Sequence, residues 1–282
     1  MSSLPATAVG RATTRSRAAR PGALSAYSGL GLGVAMVWFS LLVLIPLAMV
    51  VTTAGSDGLT GFLDTITNSQ TLSAVELTVV QAVLVTVVNV AMGTVIAWVL
   101  VRDRFPGKRV LDVVIDIPFA LPTIVAGLVL LSLYGPRSPI GVNVANTRAA
   151  VFLALAFVTL PFIVRTVQPV LEELDADVEE ASASLGATRL TTFRRIVLPS
   201  LVPSIAAGAA LSFARAISEY GSLVLLSGNL PNRTEVVSVR VLTYIENGDT
   251  TAAAAAATLM LVVALAVIVL LDLIQRRVAR RG

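Results

Sequence analysis

The chain has 282 residues, of which 56% are hydrophobic and 13% carry a charge. Because soluble domains are nearer a quarter charged, these totals exclude an ordinary soluble protein and indicate an integral membrane protein with about six spans of roughly 20 residues each. The chain contains no cysteine and no histidine, which excludes disulfide bonds, thiolate metal sites and the usual general base of an enzyme.

The first 26 residues are polar and contain Arg11, Arg15, Arg17 and Arg20. Low hydrophobicity with repeated positive charge is typical of a disordered cytoplasmic arm that fixes the orientation of a membrane protein. A targeting or interaction tail is the alternative. The remainder, residues 27–282, is predicted to form one transmembrane domain.

Six apolar segments follow the arm, and each is long enough to cross a bilayer. The first is too long to be the core of a signal peptide, and the second is long enough to tilt. The fold is therefore predicted to be all-α. The predicted spans are residues 30–53, 72–101, 110–134, 148–170, 200–226 and 250–274.

The third predicted span is interrupted by Pro118 and Pro122. Proline has no backbone N–H and frees the carbonyl of an earlier residue, so this helix is expected to be broken. Broken helices often line the pathway of a transporter. A simple kink that serves helix packing is the alternative.

A polar segment, residues 172–199, lies between the fourth and fifth predicted spans, and we call it the elbow. It contains six of the 17 acidic residues of the chain, followed by three arginines. Its small residues offer a flat helix surface to another protein, and Gly186 allows a turn between two short helices. A solvated connector is the alternative. An apolar docking stripe is predicted at Leu190, Phe193, Ile196 and Leu198.

The positive charges are distributed unevenly along the chain. Clusters at residues 11–20, 102–109, 189–195 and 276–281 all fall on one side when six spans alternate across the membrane. The positive-inside rule predicts that this side, with both termini and the elbow, is cytoplasmic. The net charge of +4 is expected to face lipid headgroups, and nucleic acid is not expected as a partner.

Two charged residues, Arg215 and Glu219, lie deep in the fifth predicted span. Their spacing of four places them on one face of a helix. Charges at such a depth are costly and usually face a bundle interior or an aqueous cavity, so the pair is predicted to line or gate a polar pathway. A self-neutralised pair that locks two helices together is the alternative.

Roles are also predicted for three other charges in the third and fourth predicted spans. Asp112 and Asp116 are expected to stabilise the dipole of the third span, with a role in transport as the alternative. Arg165 is expected either to pair with Glu172 or to reach the headgroups.

The chain contains no G-x-x-x-x-G-K-[ST] sequence, which excludes ATP binding through a P-loop. We predict that the chain is not an enzyme and has no catalytic residue, no metal ligand and no bound cofactor. If ATP drives transport, a separate subunit hydrolyses it and the elbow transmits the resulting motion.

The elbow resembles a loop of the permease subunits of bacterial ABC importers, whose pattern is E-A-A, three residues, G, nine residues, I-x-L-P. The one departure is a serine in place of the second alanine. The resemblance implies the type I importer permease fold and an ATPase-docking role for the matching positions. These are Glu180, Ala181, Ser182, Gly186, Ile196, Leu198 and Pro199.

The segments IDIPFALPTIVAGLVLLSLYG and LSFARAISEYGSLVLLSGNLPNRTEV are similar to the sulfate and thiosulfate permeases of subunit T, and the similarity runs from about residue 30 to 275. It implies a multi-pass protein of the bacterial inner membrane. The implied partners are two copies of an ATP-binding subunit, a second homologous permease and an extracytoplasmic sulfate-binding protein. A molybdate or tungstate importer, a stand-alone secondary transporter and a membrane-embedded enzyme are the alternatives.

Overall fold

The computed structural model describes residues 26–279, and every regular element within that range is a helix. The all-α prediction is therefore confirmed. The expected arm, residues 1–26, lies outside the described residues except for Ala26.

Residues 26–48 belong to a unit of their own. In its described part, α1 (Ala26–Phe39) continues through a π-helical turn (Ser40–Leu44) into α2 (Ile45–Ala54), which extends into the second unit. The stretch Ser28–Ala54 is long and apolar enough to cross a membrane, and its most apolar part has no buried residue. Such a surface is stable in lipid, which agrees with the first predicted span.

The second unit, Met49–Gly282, contains the remaining helices. A π-helical turn, Phe193–Val197, connects two of them without a break in the chain direction. In chain order the helices are α3 (Gly58–Thr67), α4 (Ser69–Arg102), α5 (Lys108–Ala120), α6 (Thr123–Tyr134), α7 (Arg148–Glu173), α8 (Ala176–Ser184), α9 (Arg189–Thr192), α10 (Leu198–Ile217), α11 (Gly221–Leu226), α12 (Val237–Glu246) and α13 (Thr250–Ala279).

Helices α4 and α7 run side by side in the same direction. In their middle, Asn89 Nδ2 donates to Thr159 Oγ1 at 2.9 Å, and at the end of α4 Arg102 donates to the carbonyl of Leu174 at 3.0 Å. Because the chain must return between two parallel helices, α5 and α6 together cross the unit in the opposite direction. We call the two ends of this unit the Arg102 end, where α4 and α7 terminate, and the Arg148 end, where α7 begins.

Two apolar cores lie along these helices. One contains Leu155, Phe213 and Leu226, which come from α7, α10 and α11. The other lies towards the Arg102 end and contains Leu171 and Leu201. Helix α10 therefore runs antiparallel to α7, because its first turns pack beside the last turns of α7.

The described residues contain five helical segments that are long and apolar enough to cross a membrane, and the bent pair α5–α6 is a sixth candidate. The prediction of about six spans is confirmed. The prediction of a continuous fifth span over residues 200–226 is wrong, because α10 ends at Ile217 and α11 starts separately at Gly221.

Candidate functional site

The first turn of the elbow is set by a capping carboxylate. Helix α7 ends at Glu173, and Asp175 Oδ1 accepts the N–H of Asp177 at 3.0 Å. A side-chain oxygen at this position satisfies a free N–H of the new helix, and its negative charge favours the positive end of the helix dipole. Helix α8 therefore begins at Ala176, directly after the membrane-length helix.

The end of α8 depends on the backbone of Gly186, which has a φ of +84°. Gly186 N–H donates to Ala183 O at 2.9 Å, and Ala187 N–H donates to Ser182 O at 3.1 Å. This pair of bonds is the Schellman motif, which closes a helix through one left-handed residue. A Cβ on Gly186 would have open space around it, so glycine is required for its conformation and not for its size.

A buried hydrogen bond joins the two short helices of the elbow. Ser182 Oγ and Thr192 Oγ1 share it across ten positions of sequence, and both residues are buried. The serine that departs from the resembled pattern therefore holds α8 against α9.

The elbow is also fastened to the end of α4. Arg102 Nη2 lies 2.8 Å from Glu179 Oε1, and the same guanidinium donates to Leu174 O at 3.0 Å. Trp98, one turn earlier, packs edge-on against Phe193 with ring centroids 5.5 Å apart. A charged contact with α8 and an aromatic contact with Phe193 therefore join the elbow to the end of α4.

The residues predicted to dock an ATPase occupy three environments. Ser182 is buried inside the elbow, and Ile196 and Leu198 are half-buried. The outer surface of the elbow therefore carries only part of the matched pattern. Its exposed members are Glu180, Ala181, Gly186 and Pro199.

The predicted apolar stripe is only partly correct. Phe193 turns inward onto Trp98, whereas Leu190 is 65% exposed. Two exposed apolar residues were not predicted from the sequence, Leu185, which is 89% exposed, and Val178, which is 45% exposed. Their spacing of seven residues places both on one helix face, and this spacing was the signal that could have found them.

The two predicted prolines act differently on the third span. Pro118 lies inside α5, which continues to Ala120. Pro122 lies at the break, with an extended backbone that precedes α6. The chain bends by 117° between the two helices. The broken helix is confirmed, and the break lies here because Pro122 disfavours a helical backbone at the preceding residue, Leu121, which is extended with a ψ of 136°.

Arg215 and Glu219 form the predicted contact, but at a break instead of on one continuous helix. Arg215 Nη2 lies 2.6 Å from Glu219 Oε2, and the Glu219 side chain is 1% exposed. Glu219 Oε1 also accepts the N–H of Ser222 at 2.8 Å, and its backbone carbonyl accepts from Ser238 Oγ at 2.7 Å. Glu219 therefore lies between α10 and α11 and bonds to residues of α10, α11 and α12.

The two breaks contact one another. A Cβ added to Gly221 would lie 2.2 Å from Thr123 Oγ1, and one added to Gly127 would lie 2.7 Å from Ser222 O. Only glycine permits such close approach of α6 and α11. The α5–α6 break and the α10–α11 break are therefore parts of one arrangement inside the bundle.

The sequence analysis did not predict the pairing of Arg165. Its Nε and Nη2 donate to the two carboxylate oxygens of Asp116 at 2.7 Å each, and its Nη1 donates to Asp112 Oδ1 at 2.8 Å. The expected pairing with Glu172 is wrong, because Gln168 lies between them and donates to Glu172 Oε1 at 3.0 Å. Asp112 and Asp116 lie about one helical turn apart, which indicated that both could bind one basic residue. Their partner could not be identified from the sequence, because Arg165 is 49 and 53 positions away.

Within residues 26–279, no group of three or more His, Cys, Asp or Glu side chains could hold a metal ion. The clustered charges described above are paired arginines and carboxylates. They are suited to holding helices together.

Comparison with known proteins identifies the family. Residues 89–281 match the family described as "Binding-protein-dependent transport system inner membrane component". The chain is 42% identical over 250 residues to the sulfate transport system permease protein CysT of Synechocystis sp., covering 86% of this chain and 87% of that protein. It is 39% identical over 259 residues to CysT of Salmonella typhimurium, covering 89% and 94%.

Solved structures agree on the fold. A bacterial alginate ABC transporter in complex with an alginate pentasaccharide-bound periplasmic protein contains a chain with a TM-score of 0.75 at 17% identity, over 89% of this chain and 94% of that one. A chain of the MetNI methionine ABC transporter has a TM-score of 0.54 at 18% identity, over 74% and 94%.

These matches identify the membrane-spanning component of a binding-protein-dependent system and not its ATPase. A component of this kind works with an ATPase and a binding protein. The chain belongs to the inner-membrane permease family of binding-protein-dependent ABC transporters and, within it, to the sulfate transport system permease family CysT.

Proposed function

We propose that this chain forms the membrane pathway of an ATP-driven importer of sulfate or thiosulfate. The observation that carries the proposal is the identity of 42% and 39% to two sulfate permeases over more than four fifths of the chain. The complex also contains two copies of an ATP-binding subunit, a second homologous permease and an extracytoplasmic sulfate-binding protein. This chain itself binds no cofactor.

The Arg102 end faces the cytoplasm, with both termini on that side. The distribution of charge supports this orientation, because the basic clusters near Lys108, Arg194 and Arg276 all lie towards the Arg102 end. Because the chain contains no cysteine, a single introduced thiol can report which side of the membrane a residue faces. A membrane-impermeant maleimide should label Leu185→Cys only from the inside and Asn143→Cys only from the outside, and the reverse pattern would contradict this orientation.

The exposed face of the elbow docks the ATPase. Val178, Leu185 and Leu190 supply exposed apolar area, and Glu180, Ala181 and Pro199 surround it. Ser182, Ile196 and Leu198 support this face from below. The ion pair between Arg102 and Glu179 then transmits movement of the docked elbow into α4.

Pro118, Pro122, Arg215 and Glu219 line or gate the pathway. The contact between their two breaks supports this role, since interrupted helices expose backbone groups that a polar substrate can use. Movement at one break is transmitted to the other through the close α6–α11 contact.

Gly186→Val tests the docking site. A β-branched residue at positive φ is strained by about 1–2 kcal/mol, so the end of α8 should reorganise and co-purification of the ATPase should fall strongly. Gly248→Val is the matched control, because Gly248 has a similar φ of +79° and open space around it. Equal loss of the ATPase in both variants would contradict the docking assignment.

Uptake of labelled anions tests the substrate. Deletion of this chain should abolish uptake of sulfate and leave uptake of molybdate unchanged. Sulfate uptake that persists in the deletion strain would reject the substrate assignment. Transport by this chain in liposomes without any ATPase would instead support a stand-alone transporter.

A further inference from the structure

A small recess lies at the Arg148 end of the second unit, remote from the elbow. Its volume is about 260 Å³. Its lining contains two arginines and no carboxylate. The lining residues are Asn146, Thr147, Arg148, Arg233 and Thr234.

A volume of about 260 Å³ has room for a small tetrahedral anion together with water. Both arginines are exposed and line the recess, Arg148 at the start of α7 and Arg233 in the loop before α12.

The two guanidinium groups keep most of their donors free. Arg148 Nε donates to the backbone carbonyl of Arg233 at 3.3 Å, which brings the two residues together. Within the described range 26–279, neither arginine forms an ion pair with a carboxylate. A guanidinium has five N–H donors in a planar fork that suits the oxygens of an oxyanion.

The backbone around the recess is already ordered. Asn146 N–H donates to Leu226 O at 3.0 Å, and Leu230 O accepts the N–H groups of both Arg233 and Thr234. Thr234 Oγ1 in turn accepts the N–H of Leu230 at 2.9 Å. A backbone held in this way loses little further conformational entropy when an ion binds, so the ordering cost falls mainly on the two arginine side chains.

Nearby carboxyl groups do not line the recess. Glu76 lies on the other side of Arg148, in a separate and smaller recess that includes Gln81. Glu235 is 4% exposed, and burial raises its pKa against the opposing effects of Arg240 and a hydrogen bond with Gln70. Neither group removes the positive character of the space between the two arginines.

The recess also adjoins the proposed pathway. Leu226, whose carbonyl accepts the N–H of Asn146, is the last residue of α11. Glu219 lies two residues before Gly221, the first residue of that helix. Helix α11 has six residues, which at 1.5 Å per residue is about 9 Å. An anion bound at the recess is therefore one short helix away from the Arg215–Glu219 break.

We propose that Arg148 and Arg233 form an oxyanion-accepting site, which takes the sulfate dianion as the binding protein releases it and before it enters the membrane. The inference rests on the proposed function, because it assumes that the Arg148 end faces the binding protein and that sulfate is the cargo. Bidentate bonds from two guanidinium groups favour a doubly charged tetrahedral anion over chloride.

Thiol labelling of the full chain in lipid nanodiscs tests the site directly. In Thr147→Cys the thiol lies in the recess, and sodium sulfate should slow its reaction with maleimide compared with sodium chloride at equal ionic strength. Arg148→Gln or Arg233→Gln, added to it, should raise the apparent Kd for sulfate about tenfold, as expected for lost charge-assisted hydrogen bonds. Arg137→Gln is the matched control, because Arg137 is exposed and lies outside the recess lining.

Uptake by the complete complex separates the possible outcomes. The Arg148→Gln/Arg233→Gln variant should lower sulfate uptake at limiting substrate about tenfold, with ATPase co-purification unchanged. Absence of sulfate protection in a complex that still imports sulfate would overturn the site and leave the proposed function standing. Sulfate protection in a complex that imports no sulfate would contradict the proposed function alone. Weaker attachment of the binding protein without any sulfate protection would identify a protein contact and overturn the anion site.

Discussion

Two arginine–carboxylate sites in this protein differ in reach and in burial. Arg215 and Glu219 are four residues apart, and the Glu219 side chain is 1% exposed. Arg165 reaches Asp116 and Asp112 across 49 and 53 positions of sequence, and these aspartate side chains are 48% and 43% exposed. The first site is local and buried, whereas the second is distant in sequence and open to its surroundings.

The difference shows that arginine–carboxylate pairs have two structural roles in this protein, compensation of a buried charge and positioning of a helix. Glu219 has little access to water, so it depends on Arg215 and Ser222 to compensate its buried charge. Arg165 uses five hydrogen bonds, as many as a guanidinium has N–H groups, and the geometry fixes α5 on α7. Because Glu219 is buried, loss of its counter-charge should lower the stability of the whole protein. Because Arg165 makes several directed hydrogen bonds to Asp112 and Asp116, it acts as a clamp that fixes the position of α5 on α7.

Arg215→Ala should have the largest effect on stability. The variant leaves the Glu219 carboxylate buried without its counter-charge, and breaking a buried pair in this way costs about 3–5 kcal/mol. Thermal unfolding of the purified protein in lipid nanodiscs measures the loss. Arg277→Ala provides the control, because Arg277 is exposed.

A second substitution identifies the cause of that loss. Glu219→Gln added to Arg215→Ala removes the lone charge and keeps an oxygen that can accept the N–H of Ser222. The double variant should recover most of the lost stability. If it is no more stable than Arg215→Ala, buried charge is not the cause and the contrast between the two sites fails.

Arg165→Lys should have an intermediate effect. Lysine retains the positive charge but not the planar fork, so the bidentate bonds to Asp116 are lost at a cost of about 1–2 kcal/mol. Because the aspartates reach solvent, we expect faster amide hydrogen exchange in α5 with a small change in melting temperature. Unfolding of the whole protein at a much lower temperature, with α5 no less protected than other helices, would contradict the clamp.

The two aspartates should differ, and this is the smallest expected effect. Asp116→Asn weakens two bonds to Arg165, whereas Asp112→Asn weakens one side-chain bond and leaves the backbone bond from Arg165 to the Asp112 carbonyl. We expect a loss of about 1 kcal/mol for Asp116→Asn and less for Asp112→Asn. The exchange rates of α5 in both variants measure the order, and a reversed order would show that Asp112 is the main partner.

The sequence was sufficient for features that depend on local composition. Span length, the break at Pro122 and the left-handed turn at Gly186 all follow from chain chemistry within a few residues. The contact between Arg215 and Glu219 was found for the same reason, because a spacing of four is short enough for direct contact.

Other features could not be read from local patterns. Phe193 faces Trp98 and not solvent because the elbow folds back on α4, and no periodicity within the elbow specifies that partner. The end of α10 at Ile217 was missed because apolar residues resume at 223–226. The interruption depends on Glu219, whose carboxylate bonds to Arg215 and Ser222 and whose backbone carbonyl accepts from Ser238.

The amino-acid sequence by itself determined the membrane class, the approximate number of spans, the elbow and the family, because these depend on hydrophobicity, charge and the spacing of a few residues. Only the tertiary structure decided that Arg165 clamps α5 to α7, that the two helix breaks touch through Gly127 and Gly221, and that Arg148 meets Arg233 at one recess. Those contacts join residues far apart in the chain, and their energy depends on distances and burial that exist only once the helices have packed.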